Sequence, residues 1–137
     1  MAYQSNRAWV VAVLAVTGAF LVAGVLAALI ADWLGRWNLP VSGFCAAFAV
    51  VVTAYCAAPV RRLVFSGAVF VLGCLAALWW FEDGSSYPEG YTLAYQSTYL
   101  PLWATLSGGV VGLLAVLTVH YFRGGETGPN KTMEPTR

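Results

Sequence analysis

The sequence predicts an all-α integral membrane protein: a four-helix transmembrane bundle with both termini in the cytoplasm. Three observations lead there. Of 137 residues, 60% are hydrophobic and only 9% are charged, against about 45–50% apolar and about 25% charged in soluble domains. Four stretches long enough to cross a bilayer contain no Asp, Glu, Lys or Arg. When those stretches are threaded in order, the basic residues collect on one side. So few charges cannot coat a water-soluble fold, and so apolar a chain is not a disordered one. A net charge of +1 supplies no field to hold nucleic acid, so none is expected as a partner. The length allows one domain.

A bilayer core is about 30 Å thick, so a spanning helix needs roughly 20 apolar residues. The first charge-free run is 8–31, with Thr17 as its one polar side chain. The second is 41–60, carrying Ser42 and Thr53. The third is 63–81, with Ser66 alone. The fourth is 99–122, with Thr105, Ser107, Thr118 and His120. No run shows a polar face at helical period, so a soluble bundle is not expected. The first run is also far longer than the 7–15 apolar residues of a signal peptide, and it is read as a span.

Orientation follows from the basic residues. With the N-terminus inside, Arg7, Arg61, Arg62, Arg123, Lys131 and Arg137 all face the cytoplasm. Only Arg36 faces out. Arg7, Arg61, Arg62 and Arg123 flank the spans directly and set the topology. The aromatic residues agree, because Trp and Tyr favour the headgroup level. Trp33, Trp37, Trp79, Trp80 and Trp103 mark the outer boundary, and Trp9, Tyr121 and Phe122 the inner one. The expected location is the plasma membrane, in a bacterium the inner one, with the lipid bilayer as the first partner.

The connections are short. Asn38 is placed to cap the second helix, with Pro40 in its first turn. Pro59 ends that helix, and the Arg61–Arg62 turn makes the second and third helices antiparallel neighbours. The second outer loop runs from Glu82 to Thr98. Ser86 and Glu89 have capping-box spacing there. Beyond them Tyr87, Tyr91, Tyr95 and Tyr99 recur every fourth residue, which on a helix makes one phenol stripe. That stripe predicts a short interfacial helix with its rings at headgroup depth. The other reading is an aromatic wall for a sugar, a lipid headgroup or a quinone ring. Residues 123–137 are rich in Gly, Pro and polar side chains and read as a disordered cytoplasmic tail.

Chemistry is sparse. His120 stands near the inner end without an acid or Cys partner in sequence, so no metal site is expected. Cys45, Cys56 and Cys74 form no C-x-x-C pair. Cys45 and Cys74 fall at comparable depth, which leaves a disulfide between them open. Acids gather only at the outer end, as Asp32, Glu82, Asp83 and Glu89 beside Arg36. No nucleophile motif, phosphate loop or zinc pattern is present, so neither catalysis nor a cofactor is expected. The small multidrug transporters are four-helix chains of similar size. Their coupling depends on a carboxylate within the first helix, which run 8–31 lacks, so that mechanism is not expected here.

The spans are instead rich in small residues, which let helix backbones approach closely in lipid. Ala104, Gly108 and Gly112 repeat every fourth residue in the fourth span, with Gly109 widening the groove. Ala19, Ala23, Ala27 and Ala31 do the same in the first, and Gly73 and Ala77 in the third. These stripes predict packing within one bundle or, alternatively, a homo-oligomer seam. Two functions fit. One is a non-enzymatic structural or accessory protein that binds another membrane protein or itself. The other is a small oligomeric channel or carrier, its pore lined by Thr17, Thr53, Ser66, Thr105 and Ser107.

Overall fold

A computed structural model describes residues 2–81 and 99–125. Every regular element in that range is an α-helix: α1 (Ala2–Trp33), α2 (Asn38–Ala57), α3 (Arg62–Trp80) and α4 (Leu100–Gly125). All four are long and apolar enough to cross a membrane. The expected interfacial helix, with Tyr87, Tyr91 and Tyr95, lies outside the described residues. So does the tail from residue 126 onward.

The helix ends differ from the charge-free runs for local reasons. Hydropathy marks membrane depth, whereas a helix stops where its backbone hydrogen bonds are closed. α1 therefore begins near the N-terminus, well before Ala8, and ends in a Schellman motif. Gly35 adopts φ 64°, its amide donates to the Asp32 carbonyl, and the Arg36 amide donates to the Ala31 carbonyl. That left-handed residue is where glycine carries no steric cost.

The cap assignment for α2 needs correcting. Asn38 is the first helical residue, and Trp37, extended at φ −61° and ψ 116°, precedes it without a side-chain cap. Pro40 sits in the first turn, where the backbone amides have no partner in the helix to lose. α2 also stops at Ala57, short of Val60. Ala58 is extended at ψ 126°, as its position before Pro59 demands. At the other end of the chain, α4 carries its helix through Arg123 to Gly125, so the first three residues assigned to a disordered tail are helical. Pro101 opens α4 and is buried.

α2 is the hub. It packs on α1, α3 and α4, while α3 also packs on α4 and the backbone of α1 approaches α2 alone. Two short turns make α1–α2 and α2–α3 antiparallel, and α2 runs parallel to α4. One end of the bundle thus holds the start of α1, the α2–α3 turn and the end of α4 (the terminal end). The other holds the α1–α2 turn and the α3–α4 connection (the loop end). The best-packed apolar cluster is Val51, Tyr55 and Val116, with Leu63, Phe70 and Leu113 against it.

Candidate functional site: a small-residue seam and an apolar cleft

The seam of α4 faces α2. A Cβ on Gly108 would overlap the Phe44 carbonyl oxygen and stand 2.8 Å from Phe44 Cα. One turn on, a Cβ on Gly112 would meet the Phe48 oxygen at 3.1 Å and Val51 Cβ at 3.2 Å. The two parallel backbones are pressed together wherever α4 lacks a side chain, which is the packing that small residues allow. Gly108 and Gly112 are buried inside the chain and Ala104 is half-buried. Gly109 serves the other neighbour: a Cβ there would lie 2.9 Å from the edge of the Phe70 ring of α3. The glycine doublet thus admits α2 on one side and an aromatic ring of α3 on the other.

The seam of α1 is made of alanine. Ala12, Ala27 and Ala31 are buried against the bundle, with Ala19 and Ala23 half-buried between them. Gly24 faces Ala46 of α2, where an added Cβ would make ordinary contact at 3.6 Å. The remaining surface of α1, including Val13, Leu14, Phe20, Val22 and Leu29, is exposed.

Five hydroxyls of the helices are used locally. Thr17, Thr105 and Thr118 each donate to the carbonyl four residues earlier, and Ser42 and Ser107 to the one three residues earlier. Such back-bonds satisfy a polar group without a partner helix. Ser66 is the exception. It is fully buried and donates across to the Val51 carbonyl at 2.9 Å, tying α3 to α2. Of the five hydroxyl residues considered for a pore lining, only Thr105 borders the cavity described next.

That cavity is a cleft of about 580 Å³ between α1 and α3, floored by α2 and α4. Its walls are residues 20–28 of α1, 39–51 of α2, 69–81 of α3 and 105–109 of α4. Most of this lining belongs to the half nearer the loop end, and Val50 and Val51 of α2 and Val69 and Phe70 of α3 reach past the midpoints of their helices. No charged side chain lines it. The two hydroxyls in its wall, Ser42 and Thr105, already donate to their own helices. At the terminal end the cleft is shut. Trp9 of α1 meets Phe65 of α3 edge to face, with ring centroids 5.1 Å apart. Val51 is shared between its floor and the Val51–Tyr55–Val116 cluster.

A polar pair joins two helices at the terminal end. The Tyr55 hydroxyl and His120 Nδ1 are 3.2 Å apart and link α2 to α4, with the rings perpendicular. Arg7, Arg61 and Arg62 are exposed at this end, and the backbone of Arg123 lies in the last turn of α4. At the loop end Trp33, Trp79, Trp80 and Trp103 project outward, and Tyr99 is exposed beside them. Cys45, Cys56 and Cys74 are free thiols. Among the described residues, no three His, Cys, Asp or Glu side chains group as metal ligands would.

The sequence offered no pointer to the cleft, because it arises from the splay of α1 away from α3 rather than from any motif. The Tyr55–His120 pair was equally hidden, its partners being 65 residues apart. No family model, curated protein or solved structure matches this chain.

Proposed function

We propose that this is a multi-pass membrane protein with both termini in the cytoplasm. Its role on this reading is that of a non-enzymatic accessory component, which acts by lateral binding within the bilayer. The observation that carries the reading is the position of α1. Its apolar run is the most hydrophobic of the four, yet its backbone approaches α2 alone, with the Trp9–Phe65 ring contact as its tie to α3, and most of its surface turns outward. An apolar helix held by one narrow seam presents a broad face to lipid or to another spanning protein. The tryptophans at the loop end and the arginines at the terminal end support the orientation, because aromatic belts and cytoplasmic basic residues have these positions.

The test is mass and flux on one preparation. Light scattering in mild detergent, corrected for bound detergent, is expected to give a chain of 14.6 kDa or a small defined complex. Vesicles holding the protein are expected to show no flux of common ions or solutes. Reproducible flux with a ring-sized mass would replace this reading with the channel or carrier. Reporter fusions at either terminus check the orientation, and a signal from the outer side would reverse it.

A further inference from the structure

We propose that the terminal end of the bundle, at the starts of α1 and α3, is a docking site for the headgroup of an anionic phospholipid, with Arg61 and Arg62 supplying the charge. The inference rests on membrane residence and holds whichever way the chain is inserted.

Two turns of this protein carry exposed arginines, and their charge balance differs. At the loop end Arg36 follows Asp32 in the turn that closes α1, and both are exposed. At the terminal end Arg61 and Arg62 are exposed side by side. Asp32 is the one acidic side chain among the described residues, so no described acid offsets this pair. In the sequence, residues 126–137 add two acidic and two basic side chains and leave the balance unchanged. Arg61 also keeps φ 49°, a conformation that glycine holds at less cost. The turn thus carries charge at a position where backbone geometry alone favours glycine.

The ring contact of Trp9 with Phe65 sets the level of the pair. α1 and α3 both run inward from the terminal end. Residues three positions before each ring therefore lie on the same helix faces, about 4.5 Å further out. Those residues are Asn6 and Arg62, both exposed. The two helices are joined here by rings and not by backbone. An aromatic pair marks the depth at which indoles meet headgroups, and a guanidinium and an amide stand just beyond it, at the level of lipid phosphates.

Chemistry and supply select the occupant. A guanidinium is a planar donor fork matched to phosphate oxygens, and an asparagine amide donates as well. Phosphatidylcholine offers the same phosphate but carries a quaternary ammonium, which two arginines repel. A lipid with net negative charge has no such penalty. A soluble anion would have to be drawn from water, whereas the bilayer holds lipid phosphates at this level.

Native mass spectrometry of the full chain tests the site, in mild detergent with equimolar phosphatidylglycerol and phosphatidylcholine of matched tails. The first lipid retained is expected to be phosphatidylglycerol, by about fivefold or more, the scale of one arginine at an anionic surface. Arg62→Gln should lower that preference about fivefold, and Arg62→Lys should keep most of it. Arg36→Gln should change it by less than about twofold, because that arginine already has Asp32 in its turn. Raising ammonium acetate from about 0.1 M to about 0.5 M should shrink the preference, as screening requires. If Arg62→Gln loses the native circular-dichroism signal, Arg61→Gln is read in its place. Equal retention of the two lipids overturns the site, as does an equal loss with Arg36→Gln. Displacement of phosphatidylglycerol by inorganic phosphate at constant ionic strength overturns it in favour of a soluble anion. A chain that fails to float with phosphatidylcholine vesicles overturns membrane residence itself, whereas a floating chain without lipid preference overturns this site alone.

Discussion

α1 and α2 are neighbours of similar composition with opposite roles. The apolar run of α1 is the most hydrophobic of the four and, with that of α3, the least buried, whereas α2, with a less hydrophobic run, lies at the centre. In a soluble protein the ranking would run the other way, because burial there is driven by escape from water. Lipid tails are as apolar as Leu, so a helix gains little by hiding from them. What places a helix at the centre is how closely others can approach it. α2 receives Gly108 and Gly112 of α4 against its backbone, Ala46 faces Gly24 of α1, and its Val51 carbonyl accepts from Ser66 of α3. α1 offers a narrow line of alanines with Gly24 on one side, and Trp9 near its start. In this chain side-chain size and backbone access select the hub, and hydropathy marks the surface.

The largest expected effect tests the α2–α4 contact against an open glycine. Gly108→Leu drives a side chain into the Phe44 backbone, which cannot move without shifting α2. Such overpacking should cost about 3 kcal/mol or more. It should show as a lost monodisperse peak and a much lower thermal midpoint in detergent. Gly18→Leu on α1, where a Cβ meets nothing within 4 Å, should be neutral within about 1 kcal/mol, since glycine in a helix interior is itself unfavourable. Gly112→Ile sharpens the point. It should unfold the monomer, and a chain that stays folded while a dimer dissociates would return the seam to an intermolecular role. Equal effects at Gly108 and Gly18 would break the distinction between hub and rim.

Smaller losses are expected where polar groups tie α2 to its neighbours. Ser66→Ala removes the one fully buried interhelical hydroxyl bond among the described residues and should cost about 1 kcal/mol, read from denaturant or thermal unfolding. Tyr55→Phe cuts the link to His120, which sits at an exposed end of α4, and should cost less, about 0.5 kcal/mol. Thr17→Val on α1 removes only a back-bond to Val13 and should leave the midpoint unchanged. A Thr17 effect as large as that of Ser66 would mean that α1 is held by more than its alanine seam.

What was legible from the residues divides along the same line. The four spans and the clustering of Trp33, Trp79, Trp80 and Trp103 at one end follow from hydropathy and charge spacing, which are local signals. The seam at Gly108 and Gly112 was visible as a pattern, but its partner was not. A Gly-x-x-x-Gly repeat states that something approaches closely without saying what. The choice of Phe44 and Phe48 depends on the parallel register of α2 and α4, and only the folded chain supplies it. The Asn38 cap misled because a good capping residue competes with backbone geometry, and here the extended residue is Trp37. The Schellman close at Trp33-Leu34-Gly35 was readable, since a glycine just past an apolar run is its usual mark. The cleft is the property least accessible from sequence, being a gap between two helices, α1 and α3, that are not consecutive in the chain.

Paired effects of opposite sign are expected in the turns that α2 uses at its two ends. Both contain a left-handed residue: Gly35 at φ 64° before the helix and Arg61 at φ 49° after it. Glycine accepts that conformation freely, whereas a side chain pays about 1–2 kcal/mol for it. Gly35→Ala should therefore lower stability by about 1 kcal/mol, and Arg61→Gly should raise it by a similar or smaller amount. Arg61 is also one of the residues proposed to set the orientation, so the gain should come with weaker topological bias, read as a larger minority of inverted chains in a reporter assay. A second replacement, Arg61→Asn, separates the two roles. Asn tolerates the left-handed region better than most side chains but carries no charge, so it should recover part of the stability and none of the bias. If Arg61→Gly instead destabilises the bundle, the strained turn is held by contacts of the arginine side chain, and the two ends of α2 are not equivalent.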